Sequence, residues 1–275
     1  MNGIDFIEQK TLLKQVKLEV PFEFKHVISH FYYAKNNSLN TIKRTLFPSF
    51  QSLCIFNFKS KLSFTNKNKS QITIDKYLLL GPVKQAIDYL MPPNSEILVL
   101  NFKDDAFYRF FGASADESDS AHCVANKFYE RCFTTIWQEI EKLKCNTERI
   151  DFILDFCRPY LSARNQVIGP LLNARNNTAD PIKMAADFLH KSVRHMQVHH
   201  KKHFGFTAKE LHRYQRFLKT THYLDKMLHN NSSLDWLPIA LSCGYYDQSH
   251  FIRDFKYYLN CTPSQYISSR NSICT

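Results

Sequence analysis

Short runs of β-branched and aromatic residues dominate the first part of the chain. Within residues 20–111 these runs read TIKRTLF, SLCIFNF, ITIDKYLLL and EILVLNF. Turn-forming residues separate them at Pro48, at the polar run 65–71, at Gly81-Pro82 and at Pro92-Pro93-Asn94. Short runs with such breaks are typical of strands in an antiparallel sheet. The pattern therefore predicts a small β-rich sandwich or barrel.

Apolar residues change to a helical spacing after Gly112. The acidic run SADESDS supplies a Ser or Asp cap, and HCVANKFYERCFTTIWQEIEKLK then aligns Phe128, Cys132, Ile136 and Ile140 in one stripe. A second helical stretch, ERIDFILDFCRPYLSA, follows Asn146. Such a stripe packs against its own domain in most proteins and forms a dimer seam in others. The spacing alone does not separate these two interpretations.

Nearly all of residues 180–270 have helical spacing. The preceding segment LLNARNNTADP has the composition of a linker, and Asp180 and Pro181 suit the cap and first turn of a new helix. The sequence thus predicts an α+β protein in three parts. Residues 1–115 form an N-terminal β-rich domain, sandwich-like or barrel-like, residues 116–178 a helical bridge or linker, and residues 179–275 a C-terminal all-α domain.

Composition and charge narrow the choice of partners. The formal net charge of +11 attracts polyanions, and nucleic acid is the first candidate, although many basic proteins bind none. The eight cysteines form no C-x-x-C pair and no zinc-type spacing with histidine, so we expect reduced core residues. No basic N-terminal patch precedes an apolar run, and no long apolar segment occurs. We therefore expect a cytoplasmic protein without a membrane partner.

No catalytic motif supports an enzyme. The chain has no G-x-S-x-G, no phosphate-binding glycine loop, no H-x-H with a later Glu and His for cupin metal chemistry, and no suitably spaced carboxylate pair. An enzyme would need a reactive thiol such as Cys54 or Cys123, and neither has a basic neighbour at helical spacing. We predict no enzymatic activity and no cofactor.

Five aromatic residues near the N-terminus are expected in the core, and the alternative is that they line a ligand pocket. They are Phe22, Phe24, Phe31, Tyr32 and Tyr33.

Residues 239–267 read IALSCGYYDQSHFIRDFKYYLNCTPSQYI and have the features of a helix-turn-helix unit. Ala240 is small enough for two helices to cross closely, and Gly244 suits the left-handed turn between them. Tyr245 is then expected to fill the core below the turn, and the Asp247 carboxylate to cap the next helix.

That next helix is predicted to bury Phe251, Phe255 and Leu259, which recur every four residues. Its opposite face carries the candidates for DNA contact, namely Gln248, Ser249, Ile252, Arg253 and Lys256. Arginine suits guanine and glutamine suits adenine, whereas a lysine here suits a phosphate. His250 is also a candidate DNA contact, and the alternative is a hydrogen bond within the fold.

These residues resemble the second helix-turn-helix of the AraC/XylS family of transcription regulators. The signature G-Y-x-D-x-S-H-F-x-R-x-F-K, followed by T-P-x-x-Y, is met at residues 244–256 and 262–266. Asn260 and Cys261 replace the usual glycine and apolar residue, and asparagine tolerates the same left-handed backbone. The resemblance implies a bacterial regulator that binds specific double-stranded DNA. Its further partners would be RNA polymerase, a small-molecule effector and a second copy of the chain.

The family carries two such units joined by a long helix, and this chain matches that order. The first unit reads AADFLHKSVRHMQVHHKKHFGFTAKEL, with Ser192 as cap, and residues 210–228 resemble the connector. His190 and Lys191 replace the turn glycine and its apolar neighbour, so weaker packing is expected. Four residues are groove-facing by position: Arg194, Gln197, Val198 and Lys201. Val198 stands where family members often have a polar residue, which implies fewer hydrogen bonds to bases.

Three histidines of the first unit share one helical face. His195, His199 and His203 lie four residues apart, a spacing that could bind a transition metal. No carboxylate is placed to support such ligands, and in the expected complex these side chains lie beside DNA, where a protonated imidazole could meet phosphate. We assign no metal.

Residues 46–114 resemble, more loosely, the N-terminal domain of some AraC-type regulators. The likeness rests on LFPSFQSLCIFNF, LLLGPVKQAIDYL and ILVLNFKDDAFYRFFGAS. In that family such domains are β-rich and sense a small molecule or mediate pairing, so we expect the same here by analogy. The alternative is a ligand-binding or protein-interaction protein whose helical domain has lost specific DNA binding.

Overall fold

The computed structural model describes residues 13–65, 71–112, 127–174, 180–229 and 235–269. Its strands are β1 (Leu13–Leu18), β2 (Ile28–Asn36), β3 (Ile42–Leu46), β4 (Leu53–Asn57), β5 (Leu62–Thr65), β6 (Gln71–Ile74), β7 (Tyr77–Leu80), β8 (Ile87–Met91) and β9 (Glu96–Phe102). Its helices are α1 (Ala106–Phe111), α2 (Lys127–Lys142), α3 (Asn146–Cys157), α4 (Ile168–Ala174), α5 (Pro181–Leu189), α6 (Val193–Phe204), α7 (Ala208–His229), α8 (Trp236–Ser242), α9 (Gln248–Leu259) and α10 (Pro263–Ser269).

The strands form two antiparallel sheets, which confirms the predicted β-rich N-terminal half and the α+β class. One sheet has the order β1-β2-β9-β4-β7 and the other β3-β8-β5-β6. The run ITIDKYLLL was expected as one strand but forms two, because the chain turns at Asp75 and Lys76 and crosses from one sheet to the other. Alternation within each half is too short to reveal such a change of sheet.

The five-stranded sheet is covered on both faces. In β4, Leu53 and Ile55 pack in the core cluster between the two sheets, whereas Cys54 and Phe56 belong to the cluster under α2 and α3. Every residue of β4 is therefore buried. A strand covered on both faces needs apolar residues on both, which is why apolar and polar residues do not alternate along this run.

Helix α2 packs on its own sheet, which favours the first of the two interpretations of its apolar stripe. Ile136 and Ile140 are buried in the same cluster as β9, and Cys132 is half-buried. The Trp137 indole donates to the Asn57 carbonyl at 2.6 Å, and the Tyr77 hydroxyl donates to that of Glu130 at 3.1 Å. The side chain of Phe128 and the acidic run before it lie outside the described residues.

The predicted linker is partly wrong, because α4 occupies its first residues. Ile168 and Leu171 are buried in the same core cluster as α5 to α9, so packing rather than composition makes this segment helical. The segment 175–179 lies outside the described residues, and the boundary near residue 178 stays a prediction. None of the helices in the described ranges is long and apolar enough to cross a membrane.

A buried ion pair ties α3 to the start of β9, the central strand of the five-stranded sheet. Arg149 Nη1 lies 2.7 Å from Glu96 Oε1, and its Nε donates to the carbonyls of Ile140 and Leu143. The guanidinium also lies 3.9 Å from the centre of the Phe58 ring. A pair this well hydrogen-bonded is costly to break from one side, because the remaining charge stays buried.

We expect Arg149→Ala to lower the free energy of unfolding by about 3–5 kcal/mol, since it leaves the Glu96 carboxylate unpaired. Urea denaturation followed by circular dichroism measures the change. The matched control is Lys142→Ala, which removes an exposed pair with Glu139 and should cost less than about 1 kcal/mol. Equal losses in both variants would contradict the assigned role of Arg149.

Candidate nucleic-acid interface and ligand cavity

The first helix-turn-helix unit is closed by the caps that its sequence predicts. Asp180 Oδ1 accepts from the Lys183 amide at 3.0 Å at the start of α5, and Ser192 Oγ accepts from the His195 amide at 3.1 Å at the start of α6. His190 adopts the left-handed conformation at φ 53°, in the place where the family has glycine. The turn therefore keeps its geometry despite the substitution, at the steric cost of a Cβ at positive φ.

One side of α6 is exposed and the other is buried. All four residues predicted to face a groove are exposed: Arg194, Gln197, Val198 and Lys201. Met196 and Phe204 are buried in the C-terminal core. The exposed side thus combines two cations, an amide and one apolar residue, which suits phosphate contact better than extensive hydrogen bonding to bases.

His203 of α6 points elsewhere than expected, whereas His195 is exposed. His203 is buried, and its ring lies 4.0 Å from that of Tyr108 in α1, away from the exposed side of α6. His200 is buried too, with Nδ1 2.8 Å from the Phe206 carbonyl. The placement of His203 beside DNA is therefore wrong, because the N-terminal domain packs against that side of the helix. In the described part of the chain, no group of three His, Cys, Asp or Glu side chains is arranged to hold a metal.

Burial also sets the charge of His203. Desolvation, reinforced by His199 and Lys202 and opposed by Asp105, lowers the pKa of His203 to about 4. Desolvation likewise lowers the pKa of His199. A His203 imidazole that is neutral at neutral pH cannot supply the cation expected for a phosphate contact.

The second unit matches its sequence pattern closely. Ala240 and Tyr245 are buried, Gly244 has φ 82°, and Asp247 Oδ1 accepts from the His250 amide at 2.6 Å. Asn260 ends α9 in the left-handed conformation at φ 58°. The predicted turn, core residue and caps are thereby confirmed.

Helix α9 buries a slightly different stripe from the one predicted. Phe251 and Phe255 are fully buried, but Tyr258 takes the third place and Leu259 is only half-buried. A helix advances 100° per residue, so Tyr258, seven residues after Phe251, lies closer to the stripe than Leu259. The N-terminal domain also contacts Tyr258, since the Tyr258 carbonyl accepts from the Ala86 amide at 2.8 Å.

The predicted DNA contacts of α9 divide by exposure. Ser249, Arg253 and Lys256 are exposed, whereas Gln248 is half-buried. Ile252 is half-buried and packs partly against the core, so it is less available than expected. Arg253 Nε donates to the Ser249 carbonyl at 3.3 Å, which holds the guanidinium along the first turn of the helix.

An ion cluster joins the connector α7 to the inner side of α9. The fully buried Asp254 carboxylate lies 2.7 Å from Arg213 Nε and 3.3 Å from Arg216 Nη2. Arg216 also lies 3.1 Å from His250 Nε2 and stacks over Tyr245 at 4.5 Å. Of the two roles considered for His250, these contacts favour the one within the fold. Sequence reasoning missed this cluster, although the i, i+3 arginines of the connector were a visible signal.

We expect Asp254→Ala to lower the free energy of unfolding by about 1.5–3 kcal/mol, since two charged hydrogen bonds lose their acceptor. Chemical denaturation of the full chain measures the loss. Asp187→Ala is the control on α5, where the carboxylate is exposed, and should stay within about 0.5 kcal/mol. A loss at Asp254 no larger than at Asp187 would refute the cluster's structural role.

The lowered pKa of His203 predicts a pH dependence of stability. The unfolded chain binds a proton near pH 6.5 and the folded chain only near pH 4, so protonation favours unfolding within that window. The stability that depends on a neutral His203 is fully present above pH 6.5 and falls as the pH drops towards 4. The variant His203→Gln should flatten the fall of the melting temperature between pH 7 and pH 5. The control is His195→Gln at an exposed position, which should leave the fall of the melting temperature unchanged. The same fall in His203→Gln as in the unchanged chain would contradict the assignment to His203.

A cavity of about 510 Å³ lies between the sheets of the N-terminal domain. Its polar wall includes His30, Gln51 and Asn101, and Leu53, Ile55, Phe64, Ile97 and Val99 are among the apolar residues that line it. Ser29 Oγ lies 3.0 Å from His30 Nδ1, and desolvation, reinforced by Lys17, lowers the pKa of His30. With Gln15 and Lys17, which also line it, the cavity presents a neutral imidazole, three amides and one cation.

The five N-terminal aromatic residues divide between core, cavity and surface. Phe24, Phe31 and Tyr33 are buried in the core cluster of the sheet, as expected. Tyr32 lines the cavity, which is the alternative considered for the group. Phe22 is 89% exposed and belongs to neither. Phe31 and Tyr32 are adjacent in a strand, so their side chains lie on opposite faces of the sheet. Only the placement of the second sheet makes the face of Tyr32 part of a cavity.

Comparison with known protein families agrees with the C-terminal geometry. The family described as "Helix-turn-helix domain" matches residues 185–269. Among solved structures, ToxT from Vibrio cholerae is 13% identical over 86% of this chain and 97% of its own, with a TM-score of 0.38. Unsaturated fatty acid bound ToxT from Vibrio cholerae strain SCE256 is 15% identical over 86% and 94%, with a TM-score of 0.37. No curated protein sequence matches the chain significantly.

A third solved structure resembles a smaller part of the chain. A putative ethanolamine utilization protein from Salmonella typhimurium is 9% identical over 33% of this chain and 68% of its own, with a TM-score of 0.26. Likenesses at such TM-scores carry no information on ligands. The domain match, by contrast, falls on both capped helix pairs and on the connector between them. Residues 185–269 of this chain are therefore an AraC-type helix-turn-helix domain.

Proposed function

We propose that the protein regulates transcription by binding a specific duplex DNA sequence with α6 and α9 together. The observation that carries the proposal is a pair of short capped helices, each with an exposed polar side, with the long helix α7 and the short helix α8 between them. Helix α7 has 22 residues, which is about 33 Å at 1.5 Å per residue. One turn of B-DNA is about 34 Å, so one chain can reach successive major grooves.

Each exposed residue has a role that follows from its chemistry. We assign Arg253, together with Ser249 and the half-buried Gln248 in the first turn of α9, to base edges, and Lys256 to a phosphate. His250 orients Arg216 from within and acts as a positioning residue. In α6 we assign Arg194 and Lys201 to phosphates and Gln197 to a base edge, with Val198 against a thymine methyl group.

The cavity in the N-terminal domain is the proposed site of a small-molecule effector. Its volume suits an organic ligand of ordinary size, and its mixture of apolar walls and a few converging polar groups is typical of ligand sites. We place the protein in the cytoplasm, because its proposed target is chromosomal DNA. RNA polymerase and a second copy of the chain are its proposed protein partners.

Selection of bound fragments from genomic DNA tests the central proposal. Purified full-length chain should enrich a limited set of sequences, and gel shifts on these and on random duplexes should differ by at least about 10³-fold in affinity. Equal affinity for all duplexes at every salt concentration would contradict it. That result would favour a ligand-binding protein whose helical domain no longer reads DNA.

On an enriched sequence, we expect Arg253→Ala to weaken binding by about 1–3 kcal/mol and to relax base preference at one position. Lys256→Ala should weaken binding to all sequences alike and reduce the slope of log affinity against log salt by about 1. Titrations at three salt concentrations separate the two effects.

The control for both variants is Lys61→Ala, which removes an exposed lysine of the N-terminal domain. It should change neither base preference nor the salt slope appreciably. An equal loss of base preference in Arg253→Ala and Lys256→Ala would contradict the division of roles.

A further inference from the structure

A second cavity lies on the opposite face of the five-stranded sheet, under α1, α2 and α3, and has a volume of about 160 Å³. Phe56 of β4 forms its floor together with Leu100 and Phe102 of β9. The neighbouring residues Ile55 and Val99 line the cavity between the sheets instead. Successive side chains of a strand point to opposite faces, so the two cavities are separate sites.

The lining of the second cavity is almost entirely apolar. The three helices contribute aromatic rings, namely Phe110, Phe111, Phe133 and Phe156. None of the described residues that line it is charged, and the polar side chains among them are Cys132, Cys157 and Tyr160. Desolvation raises the pKa of the Cys157 thiol to about 12, so this group is uncharged at neutral pH. A charged ligand would therefore lose its hydration here without gaining a partner.

Polar contacts outside the cavity hold the helices in place around it. The Trp137 indole donates to the Asn57 carbonyl and ties α2 to the sheet, and the Arg149 pair with Glu96 does the same for α3. In α1, Arg109 Nε donates to a carbonyl of the segment that follows α3, at 2.9 Å. These contacts would have to break before the helices could close over the space. The cavity is therefore preformed.

Tyr160 provides a route from solvent into the second cavity. It is 49% exposed, whereas the other lining residues are buried or half-buried. Its ring stacks on that of the half-buried Phe156, with centres 5.6 Å apart. A small molecule can enter beside this pair without unfolding of the sheet or of α2.

The size and chemistry of the second cavity select a class of ligand. Voids larger than a water molecule are few in protein interiors, because the lining atoms lose contacts on one side. Water gains little in an apolar void, since it needs two to four polar partners. An apolar cavity of about 150 Å³ stays dry and binds benzene. The rings of the lining also offer edge-to-face contacts to a further aromatic ring.

We propose that the second cavity is a ligand site for an uncharged aromatic molecule of one ring or two fused rings. The ligand lies between the sheet and helices α2 and α3. Its binding requires neither DNA nor a ligand in the cavity between the sheets. The two sites differ in chemistry, since only the cavity between the sheets carries amides and the Lys17 cation.

Cys132 reports occupancy of the second cavity in the unchanged full-length chain. It lines the cavity and is half-buried, whereas Cys145 is exposed and does not line it. Labelling with iodoacetamide, followed by mass spectrometry of peptides, gives a rate for each cysteine. We expect saturating toluene to slow labelling of Cys132 at least about fivefold and that of Cys145 less than about 1.5-fold, because access limits the reaction only at Cys132. Benzoate, which has the same ring and a charge, should protect neither.

Thermal melts with toluene test which of the two cavities is filled. Toluene should raise the melting temperature of the unchanged chain by at least about 2 °C, because it binds only the folded state. Cys132→Phe places a ring at the wall of the second cavity and should abolish the rise. The matched control is Val16→Phe at the wall of the cavity between the sheets, in which the rise should persist. Melts without toluene establish that each variant is folded.

Three outcomes would overturn the proposal. They are equal labelling of Cys132 with and without toluene, equal protection of Cys132 by benzoate and toluene, and a rise in melting temperature that survives Cys132→Phe but is lost in Val16→Phe. The last would place the ligand in the cavity between the sheets. Labelling needs no variant, so it decides the question even if Cys132→Phe does not fold.

Discussion

The packing of Phe50 into the C-terminal core is the contact on which the arrangement of the whole molecule depends. Phe50 lies in the loop between two strands, yet its ring is covered by Phe206 and Tyr214 from the DNA-binding domain. A buried aromatic ring contributes more apolar area than most residues, and its loss to solvent would leave a large void. The sheets and helices consequently share part of one core, which places the cavity beside the connector.

The two helix-turn-helix units form the same left-handed turn with different residues. Gly244 adopts positive φ without a side chain, whereas His190 adopts it with one. The second unit is reinforced from within by the Asp254 ion cluster. The first is held from outside, by the contact of His203 with Tyr108. The N-terminal domain thus stabilises the unit whose own pattern is weaker.

Much of the C-terminal site was predictable from local pattern. The caps at Asp180, Ser192 and Asp247 depend on side chains that bond amides three residues on, so sequence distance and spatial distance coincide. The exposure of Arg194, Lys201, Arg253 and Lys256 followed from helical periodicity for the same reason. Their contacts with DNA stay proposals. His203 was misjudged because Tyr108, which packs on its ring, comes from α1, far away in the chain. Leu259 was chosen over Tyr258, although Tyr258 lies closer to the buried stripe and packs on Phe217 of α7.

By itself, the sequence determined the α+β class, the strands' approximate places, the two helix-turn-helix units and their order, since each depends on interactions within a few residues. Only the tertiary structure decided that ITIDKYLLL divides between two sheets, that a cavity opens between them, and that Phe50 leaves its own domain. The physical reason is that burial and cavity shape are properties of surfaces brought together from distant parts of the chain. Periodicity shows which face of an element is apolar, but not what covers it.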